Sequence, residues 1–451
     1  MTINNQFLRP DIRQATRRLT AMVFSLPLIA VMAGVVAVFA SYAPGLGKRH
    51  LAVTSASDKP AITRTLVATE EVEHLDRLAR EPMVVELSDG TLFVSGYDTN
   101  PKKSPGLWRS HDHGATWESV NVGSQADGAF GNSDVDLAVG PDDTLYFVAL
   151  TIDVKKEEAV RIAVGASKDA GVKWSWKVLS ENRLDDRPWV GVAPDRTAHV
   201  IWSEESGVRY AVSQDGGASW NLGSRIHEHG GSSHLAIGPH GEIAVRIAPP
   251  SAGGSKFTPG VDLIVVSRDG GKTWQKRPAP GERDWSPDDN KGTPRWVEPL
   301  AWDDDGALYS LWGSQKGLWL ARSSDQSKTW TSWHIVDRDE VSYYPYLTAR
   351  GHGELAATWF SGLRDDIRTH VARIKVTDTK TPPEIIEAQP FQSEIWTWIF
   401  PGHEKDPVVH ATGGEYVPVT FLRDGSLGVI TPIQNQREKR LGFTWWKFAE
   451  R

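Results

Sequence analysis

An eight-residue pattern, Ser-x-Asp-x-Gly-x-Ser/Thr-Trp, recurs along this chain of 451 residues and limits the folds that it can adopt. Its copies are SHDHGATW from Ser110, SKDAGVKW from Ser167, SQDGGASW from Ser213, SRDGGKTW from Ser267 and SSDQSKTW from Ser323. In such a pattern the aspartate accepts hydrogen bonds from turn amides, the glycine supplies a positive φ angle and the tryptophan covers the hairpin. The copies therefore predict equivalent β-hairpin turns, whose aspartates are structural.

A second hairpin pattern precedes the copies and continues after them. Apolar alternation, a turn at Asp-Gly or a relative, and further alternation begin at Val84, Asp136, Val190, Leu235, Leu300, Leu347 and Val419. One such inner hairpin and one hairpin that carries the Ser-x-Asp pattern, which we call a box hairpin, make four antiparallel strands. Four such strands form one propeller blade. The chain is therefore predicted to be all-β, a six- or seven-bladed β-propeller with seven blades favoured. The tail Gly442–Phe448 and residues 61–69 are expected to share the last blade and close the ring.

The amino-terminal segment predicts a membrane anchor. Residues 19–43 carry no charge and are long enough to span a bilayer as a helix. Arginines precede this segment, so the positive-inside tendency predicts a cytoplasmic basic segment 1–18, a transmembrane signal-anchor helix 19–43, a linker 44–60 and a propeller 61–451. The propeller is expected outside the cytoplasm, either periplasmic or extracellular. A cleaved signal peptide is the alternative, but its nearest cleavage sequence, Ser41-Tyr42-Ala43, is followed by Pro44.

Composition removes several other classes of protein. The chain has no cysteine, which excludes disulfides, a thiolate nucleophile and cysteine-ligated metal. Its net charge is −7 and it has no long basic run, so a nucleic-acid partner is not expected. No metal or cofactor is expected, since His227, His229 and His234 are read as loop histidines and the paired aspartates as turn residues.

The repeated pattern resembles the Asp-boxes, or bacterial neuraminidase repeats, of the sialidase superfamily. The resemblance implies a β-propeller whose boxes lie on the face away from the active site. It also implies an arginine cluster that binds the substrate carboxylate, a tyrosine nucleophile with a glutamate partner, and an aspartate as acid and base.

Four arginines are candidates for binding such a substrate. Arg80, in an Arg-Glu-Pro sequence before the first inner hairpin, resembles the family's first arginine, and Arg246 resembles the second. The third is missing at its expected place, Tyr309–Gly313. Arg187 and Arg295 stand at blade entrances and are the remaining candidates.

The same resemblance supplies candidate catalytic residues. Tyr343 or Tyr344 matches the nucleophile, Asp98 the acid and base, and Glu228 approximately the partner of the tyrosine.

Three functions follow from these assignments. The first is exo-glycosidase action, of exo-α-sialidase type, on terminal sialic acid or a related acidic sugar of a glycan or sialoglycoconjugate. The second is a non-catalytic propeller that binds a glycan or protein. The third is a glycoside hydrolase or lyase that uses two carboxylates around Asp98, Asp134 or Glu298.

Overall fold

Each inner hairpin pairs with further strands to form an antiparallel sheet of at least four strands, and seven such sheets occur among the described residues. The structure is a computed structural model that describes residues 64–98, 104–153, 155–156, 158–249, 258, 261–281, 298–314, 316–362, 366–395, 397–398, 410–411, 415–435 and 438–451. The prediction of an all-β propeller is confirmed, with seven blades rather than six.

The predicted anchor falls on residues 19–43, which lie outside the described residues together with the rest of 1–63. None of the helical segments in the described ranges has the length and apolar character needed to cross a bilayer.

The first three blades follow one another in chain order. A short 3-10 helix, Gln125–Asp127, lies between the first two. Blade 1 contains β2 (Arg80–Glu86), β3 (Leu92–Tyr97), β4 (Gly106–Ser110) and β5 (Glu118–Ser119). Blade 2 contains β6 (Val135–Val139), β7 (Leu145–Asp153), β8 (Glu158–Ser167) and β9 (Ser175–Ser180). Blade 3 contains β10 (Asp186–Val192), β11 (Ala198–Ser203), β12 (Val208–Ser213) and β13 (Asn221–Leu222).

The next three blades repeat the arrangement. Blade 4 contains β14 (Gly231–Ile237), β15 (Ile243–Ala248), β16 (Leu263–Ser267) and β17 (Gln275–Pro278). Blade 5 contains β18 (Leu300–Trp302), β19 (Leu308–Ser314), β20 (Gly317–Ser323) and β21 (Thr331–Asp337). Blade 6 contains β22 (Ser342–Arg350), β23 (Glu354–Ser361), β24 (Arg368–Lys375), β25 (Glu384–Glu387) and β26 (Phe391–Gln392). The short strands β27 (Thr397–Trp398) and β28 (His410–Ala411) pair with each other.

Blade 7 combines the two ends of the described chain, as the sequence predicts. It contains β29 (Val419–Phe421), β30 (Leu427–Asn435), β31 (Arg440–Glu450) and, as its outermost strand, β1 (Leu66–Leu75). The first strands of neighbouring blades contact one another around the ring, and the inner strands of blade 7 contact β2 of blade 1. The ring is therefore closed by strand pairing.

The box hairpins connect the third and fourth strands of blades 1 to 5. In the first box, Asp112 accepts hydrogen bonds from the Ser110 and Thr116 hydroxyls and from the Thr116 amide at 2.6–2.8 Å. These bonds lower the pKa of Asp112 to about 2. The turns lie on the face where the innermost strands end, which we call the box face. The opposite face, where the innermost strands begin, is the entrance face.

Apolar side chains fill the space between adjacent blades. Between blades 2 and 3, for example, Val148 and Val164 pack with Val200 and Ala211, all at most 1% exposed. Burying one such valine stabilises the fold by about 2 kcal/mol. The blades are thus rigid walls around the central axis.

Candidate functional site

The innermost strands of three blades begin with the same distortion. Glu81, Arg187 and Tyr344 have φ angles of 44°, 45° and 48°, and each precedes a proline. At each of them the pairing of the first and second strands of the blade slips by one residue. Such a bulge re-aims a side chain, and left-handed backbone at a non-glycine residue concentrates at functional sites. These blades thus present a carboxylate, a guanidinium and a phenol at the entrance face.

Counting along the inner hairpins finds the equivalent residue in the other blades. Each of the three lies six positions before the residue at which its inner-hairpin turn begins, which is Leu87, Ala193 or Arg350, respectively. The same count gives an axial ring of Glu81, Asp134, Arg187, Ser232, Tyr344 and Tyr416. The equivalent position in blade 5, residue 297, lies outside the described residues.

Charged side chains from four blades meet beside this ring. The central cluster consists of Arg80, Glu81, Asp134, Asp186, Arg187 and Glu415. Arg187 Nη2 lies 3.4 Å from Oε2 of Glu415, and its Nη1 lies 4.0 Å from Oδ2 of Asp186. These three side chains remain 15%, 21% and 18% exposed, respectively, so the cluster is open to solvent on this side.

Carboxylates outnumber guanidinium groups in the central cluster, and this shifts their protonation. Burial raises the pKa of Glu81 well above its usual range, and Asp134 and Glu415 raise it further. Arg80 and Arg187 oppose this rise. Burial also raises the pKa of Asp134 and of Glu415. Glu81 therefore keeps its proton to a higher pH than an exposed glutamate does.

Three tyrosines border the cluster. Tyr97, Tyr344 and Tyr416 are 4%, 1% and 3% exposed. Burial raises the pKa of each phenol well above 10, and the charges of Glu81 and Glu415 raise it further. The guanidinium carbon of Arg80 lies 5.4 Å from the centre of the Tyr97 ring. Burial thus keeps these phenols protonated, and they are hydrogen-bond donors at neutral pH.

A layer of larger side chains lies two residues further along the innermost strands and forms the floor of the site. The ring of His234 lies 4.9 Å from that of Trp189 and 6.0 Å from that of Tyr346. Tyr346 donates a hydrogen bond to the Met83 sulfur at 3.7 Å. Asp136 accepts hydrogen bonds from the amides of Leu137 and Val190 at 2.8 and 2.9 Å, and its burial raises its pKa to about 7.

The structure brings together some of the residues singled out in the sequence. Arg80, Arg187 and Tyr344 belong to the central cluster or its border, as does Asp134 from the two-carboxylate hypothesis. Tyr343 points elsewhere, because its hydroxyl donates a hydrogen bond to the Gly362 carbonyl at 3.3 Å. Of the two candidate tyrosines, Tyr344 is therefore the one that borders the central cluster.

Other predicted residues lie apart from this group. Arg246 is fully buried in blade 4, where its guanidinium binds Glu298 at 2.6 Å and also contacts Asp262. Glu228 is 69% exposed and pairs with Arg225 at 2.7 Å, which lowers its pKa.

Two further candidates are not brought to the cluster by the contacts described. Asp98 follows β3 at the entrance face. Burial lowers the pKa of Arg77, and the nearby charge of Asp98 acts in the opposite direction. Arg295 lies outside the described residues.

Several residues of the site had no motif to mark them as candidates. Tyr97, Glu415 and Tyr416 resemble no family motif. In the sequence, Glu81 is notable only as the neighbour of Arg80, and Asp186 is interpreted only as a turn residue. The spacing of the inner hairpins would have marked Glu81 and Tyr416, since counting back six positions from each turn reaches the axial ring. No such count marks Tyr97, Asp186 or Glu415.

Metal ligation finds no support in the part of the chain that the structure describes, where no three His, Asp or Glu side chains are arranged to hold an ion. What the cluster offers chemically is acid and base catalysis by carboxyl groups, hydrogen bonding by phenols and two fixed cations.

Comparison with known proteins identifies the repeat. The family model of the BNR/Asp-box repeat matches residues 265–276. No curated protein matches the chain.

Solved structures similar to the chain include proteins with different names. YCF48 bound to D1 peptide is 14% identical, with 84% of this chain and 94% of that chain covered and a TM-score of 0.46. A PL25 ulvan lyase bound to a GlcA–Rha3S glycan is 9% identical, with 84% and 96% covered and a TM-score of 0.49. A variant of the NanB sialidase from Streptococcus pneumoniae is 10% identical, with 84% and 70% covered and a TM-score of 0.40. Likenesses at this level give no argument about activity.

The repeat match falls on the fourth box, whose aspartate, Asp269, makes the same hydrogen bonds as Asp112 does in the first. With this box geometry and seven blades, the chain is a seven-bladed β-propeller that carries Asp-box (BNR) repeats.

Proposed function

We propose that this protein is a glycoside-cleaving enzyme whose reaction takes place at the central cluster. The observation that carries the proposal is a set of carboxyl groups in unlike environments at one site. Glu81 is 6% exposed and its pKa is well above the usual range, whereas Glu415 is 21% exposed and lies beside Arg187. Glycoside hydrolysis requires such a difference, because one carboxyl group donates a proton and the other accepts one.

The roles follow from these environments. Glu81 donates its proton to the glycosidic oxygen while the bond between that oxygen and C1 of the sugar breaks. Glu415 removes a proton from a water molecule, whose oxygen forms the new bond to C1. The proton on Glu415 then returns through solvent to Glu81, which restores both groups. Tyr97, Tyr344 and Tyr416 supply hydroxyl groups for binding the sugar.

A sialidase reaction is the second candidate, and the position of Tyr344 favours it. This phenol lies within the electrostatic influence of Glu415, Arg187 and Glu81, which is the combination that a tyrosine nucleophile with a glutamate partner needs. Arg80 and Arg187 would then bind the carboxylate of the sugar. The two-carboxylate reaction is preferred because both arginines already face carboxylates and Arg246 is bound by Glu298.

Turnover of a panel of fluorogenic glycosides tests the proposal. The panel contains sialoside, glucuronide, glucoside, arabinofuranoside and glucosaminide. We expect Glu81→Gln and Glu415→Gln to lower kcat on the accepted substrate by at least about 100-fold. Glu118→Gln, on a 57% exposed side chain of the box hairpin, is the matched control.

Tyrosine variants separate the two reactions. The two-carboxylate reaction predicts that Tyr344→Phe keeps most of kcat, whereas a tyrosine nucleophile predicts its loss. Tyr343→Phe is the control, since that hydroxyl points to Gly362. If the unsubstituted protein turns over no glycoside of the panel, the proposal fails and a propeller that only binds a glycan or protein takes its place.

We also propose that residues 19–43 anchor the protein in a membrane with the propeller outside the cytoplasm. The support is the uncharged length of this segment and the arginines that precede it. Alkaline carbonate extraction should leave the protein in the membrane pellet. Protease added to intact cells, or to spheroplasts if there is an outer membrane, should digest the propeller. Release by carbonate or full protection would contradict the proposal.

A further inference from the structure

The left-handed backbone of Arg187 is held by hydrogen bonds on both sides. Its φ angle is 45°, although Pro188 follows it and a residue before proline favours extended backbone. The Arg187 amide donates to Oδ1 of Asp186 at 3.0 Å, and the Arg187 carbonyl accepts from the hydroxyl of Ser232 at 3.0 Å. Both polar groups of this backbone are therefore bound. A strained conformation persists only where its surroundings fix it in this way.

The bond from Ser232 belongs to a chain of hydroxyl groups that crosses between blades 3 and 4. The Ser232 amide donates to the hydroxyl oxygen of Ser203 at 2.9 Å, and the two hydroxyl oxygens lie 3.0 Å apart. A hydroxyl has a single proton, and that of Ser232 is given to the Arg187 carbonyl. The Ser203 hydroxyl therefore donates to that of Ser232, and the chain of hydrogen bonds ends on Arg187.

The two serine hydroxyls are shielded from solvent. Ser203 and Ser232 are 1% and 2% exposed, so removal of either hydroxyl leaves a buried polar group of its neighbour unpaired. Ser203 also lies opposite Asp186, where the slip in pairing between β10 and β11 begins. The serines thus hold the bulge at the residue from which the Arg187 side chain departs.

The bulge brings the guanidinium of Arg187 to the central cluster, where its Nη2 lies 3.4 Å from Oε2 of Glu415. Glu415 is the base of the proposed function, and a neighbouring cation favours its charged form. A small shift of the Arg187 backbone would be enlarged along its long side chain and would separate the two groups. Displacements of about 1 Å are enough to slow catalysis strongly.

We propose that Ser232 and Ser203 are positioning residues, which fix the backbone of Arg187 so that its guanidinium stays beside Glu415. The effect of the serines on turnover rests on the proposed function. The position of Arg187 does not, and it can be measured without a substrate.

Labelling of arginines by phenylglyoxal in the full chain tests the position of Arg187. We expect Ser232→Ala to raise the labelling rate of Arg187 severalfold, measured by mass spectrometry of peptides, because the guanidinium leaves Glu415. Ser232→Thr keeps the hydroxyl and should restore the slow rate. Ser233→Ala is the matched control, since this neighbouring hydroxyl is also buried but accepts a hydrogen bond from the Glu298 amide at 2.8 Å.

Turnover of an accepted glycoside supplies the second measurement. Ser232→Ala should lower kcat by at least about tenfold, and Ser203→Ala should lower it as well. In an Arg187→Gln background, Ser232→Ala should cause no further loss, because the serine acts through Arg187. A merely structural role predicts the same loss in both backgrounds.

Unchanged labelling of Arg187 in both alanine variants would overturn the inference, whether or not a glycoside is cleaved. Equal effects of Ser232→Ala and Ser233→Ala on that labelling would do the same. If neither Ser232→Ala nor Ser203→Ala folds, the hydroxyls serve the stability of the fold instead, which also overturns the inference. Faster labelling of Arg187 without turnover of any glycoside supports the inference and removes the proposed function.

Discussion

Arg246 illustrates how burial decides the role of a single residue. The side chain is 0% exposed, and its Nη1 donates hydrogen bonds to the carbonyls of Ile247 and Leu263 at 2.6 and 3.2 Å. Its Nε and Nη2 donate to Oε2 of Glu298 at 3.0 and 2.6 Å. All of its donor nitrogens therefore make hydrogen bonds within the fold. We interpret Arg246 as a structural residue that links blades 4 and 5.

Replacement of this arginine should be strongly destabilising. Arg246→Met removes the guanidinium that binds the buried carboxylate of Glu298, so we expect the free energy of unfolding to fall by about 3–5 kcal/mol in urea titrations. Arg225→Met is the matched control, because its ion pairs with Glu204 and Glu228 are at the surface and its side chain is 33% exposed. Its cost should be below about 1 kcal/mol. Equal decreases in the free energy of unfolding of the two variants would contradict this structural role.

We expect Asp136 to make the stability of the fold depend on pH. Burial raises its pKa from 3.8 to about 7, and the groups that face it are the amides of Leu137 and Val190 and the phenol of Tyr346. Between these two values the unfolded chain loses the proton while the folded chain keeps it. Stability contributed by this group is therefore present at low pH and is lost as the pH rises towards about 7.

The loss attributable to Asp136 is of the order of 4 kcal/mol, because one pKa unit corresponds to about 1.4 kcal/mol. Asp136→Asn has no such titration. Urea unfolding at pH values from about 4 to about 8 should show the native protein losing stability relative to the variant and the difference levelling off above about 7. Parallel curves for the two proteins would show that Asp136 does not titrate in this range.

At the scale of the elements, the five box hairpins share a sequence pattern but differ in what they contact. Gly114 in the first box has a φ of 101°, and a β-carbon there would overlap the buried indole of Trp445 in blade 7. Ser327 occupies the equivalent place in the fifth box with a φ of 64°. Its amide donates a hydrogen bond to the Ser323 hydroxyl at 2.8 Å, as the glycine amide does in the other boxes.

Opposite substitutions at these two sites should therefore have unequal effects. We expect Gly114→Ser to lower the free energy of unfolding by about 3 kcal/mol, since it combines backbone strain with overpacking. Ser327→Gly should change it by no more than about 1 kcal/mol, because relief of left-handed strain offsets the greater freedom of glycine in the unfolded chain. Thermal or chemical unfolding of the two variants would measure this asymmetry, and similar effects would contradict it.

The hairpins and the site were not equally predictable from the sequence. Alternation and Asp-Gly turns are local, so all seven inner hairpins could be located, together with the strand after Gly442 that closes the ring. The direction of a side chain at a strand entrance depends instead on a one-residue slip in pairing, as at Glu81 and Arg187. Glu415 joins Arg187 only because the ring brings blade 7 close to blade 3. No local pattern encodes that proximity.

At the scale of the whole molecule, the ring depends on pairing between its two ends. The β1 strand pairs with β31 from Leu66 opposite Glu450 to Leu75 opposite Gly442. Backbone hydrogen bonds between Thr65 and Arg451, at 2.9 and 3.1 Å, extend this pairing. Separation of these strands would leave β31 with an unpaired edge and remove the outermost strand of blade 7. We therefore expect unfolding to begin at this closure.

A disulfide across the closure tests this expectation, and the absence of native cysteine makes the design simple. Val67 lies directly opposite Ala449, and residues in such a pair point to the same face of the sheet. The Val67→Cys/Ala449→Cys variant closes almost the whole described chain into one loop, for which the chain-entropy model gives about 6 kcal/mol of stabilisation. The oxidised variant should unfold at a higher temperature than its reduced form, whereas each single-cysteine variant should be insensitive to reductant. If mass spectrometry confirms the bond and the unfolding temperature does not change on reduction, opening of the closure does not limit the stability of the ring.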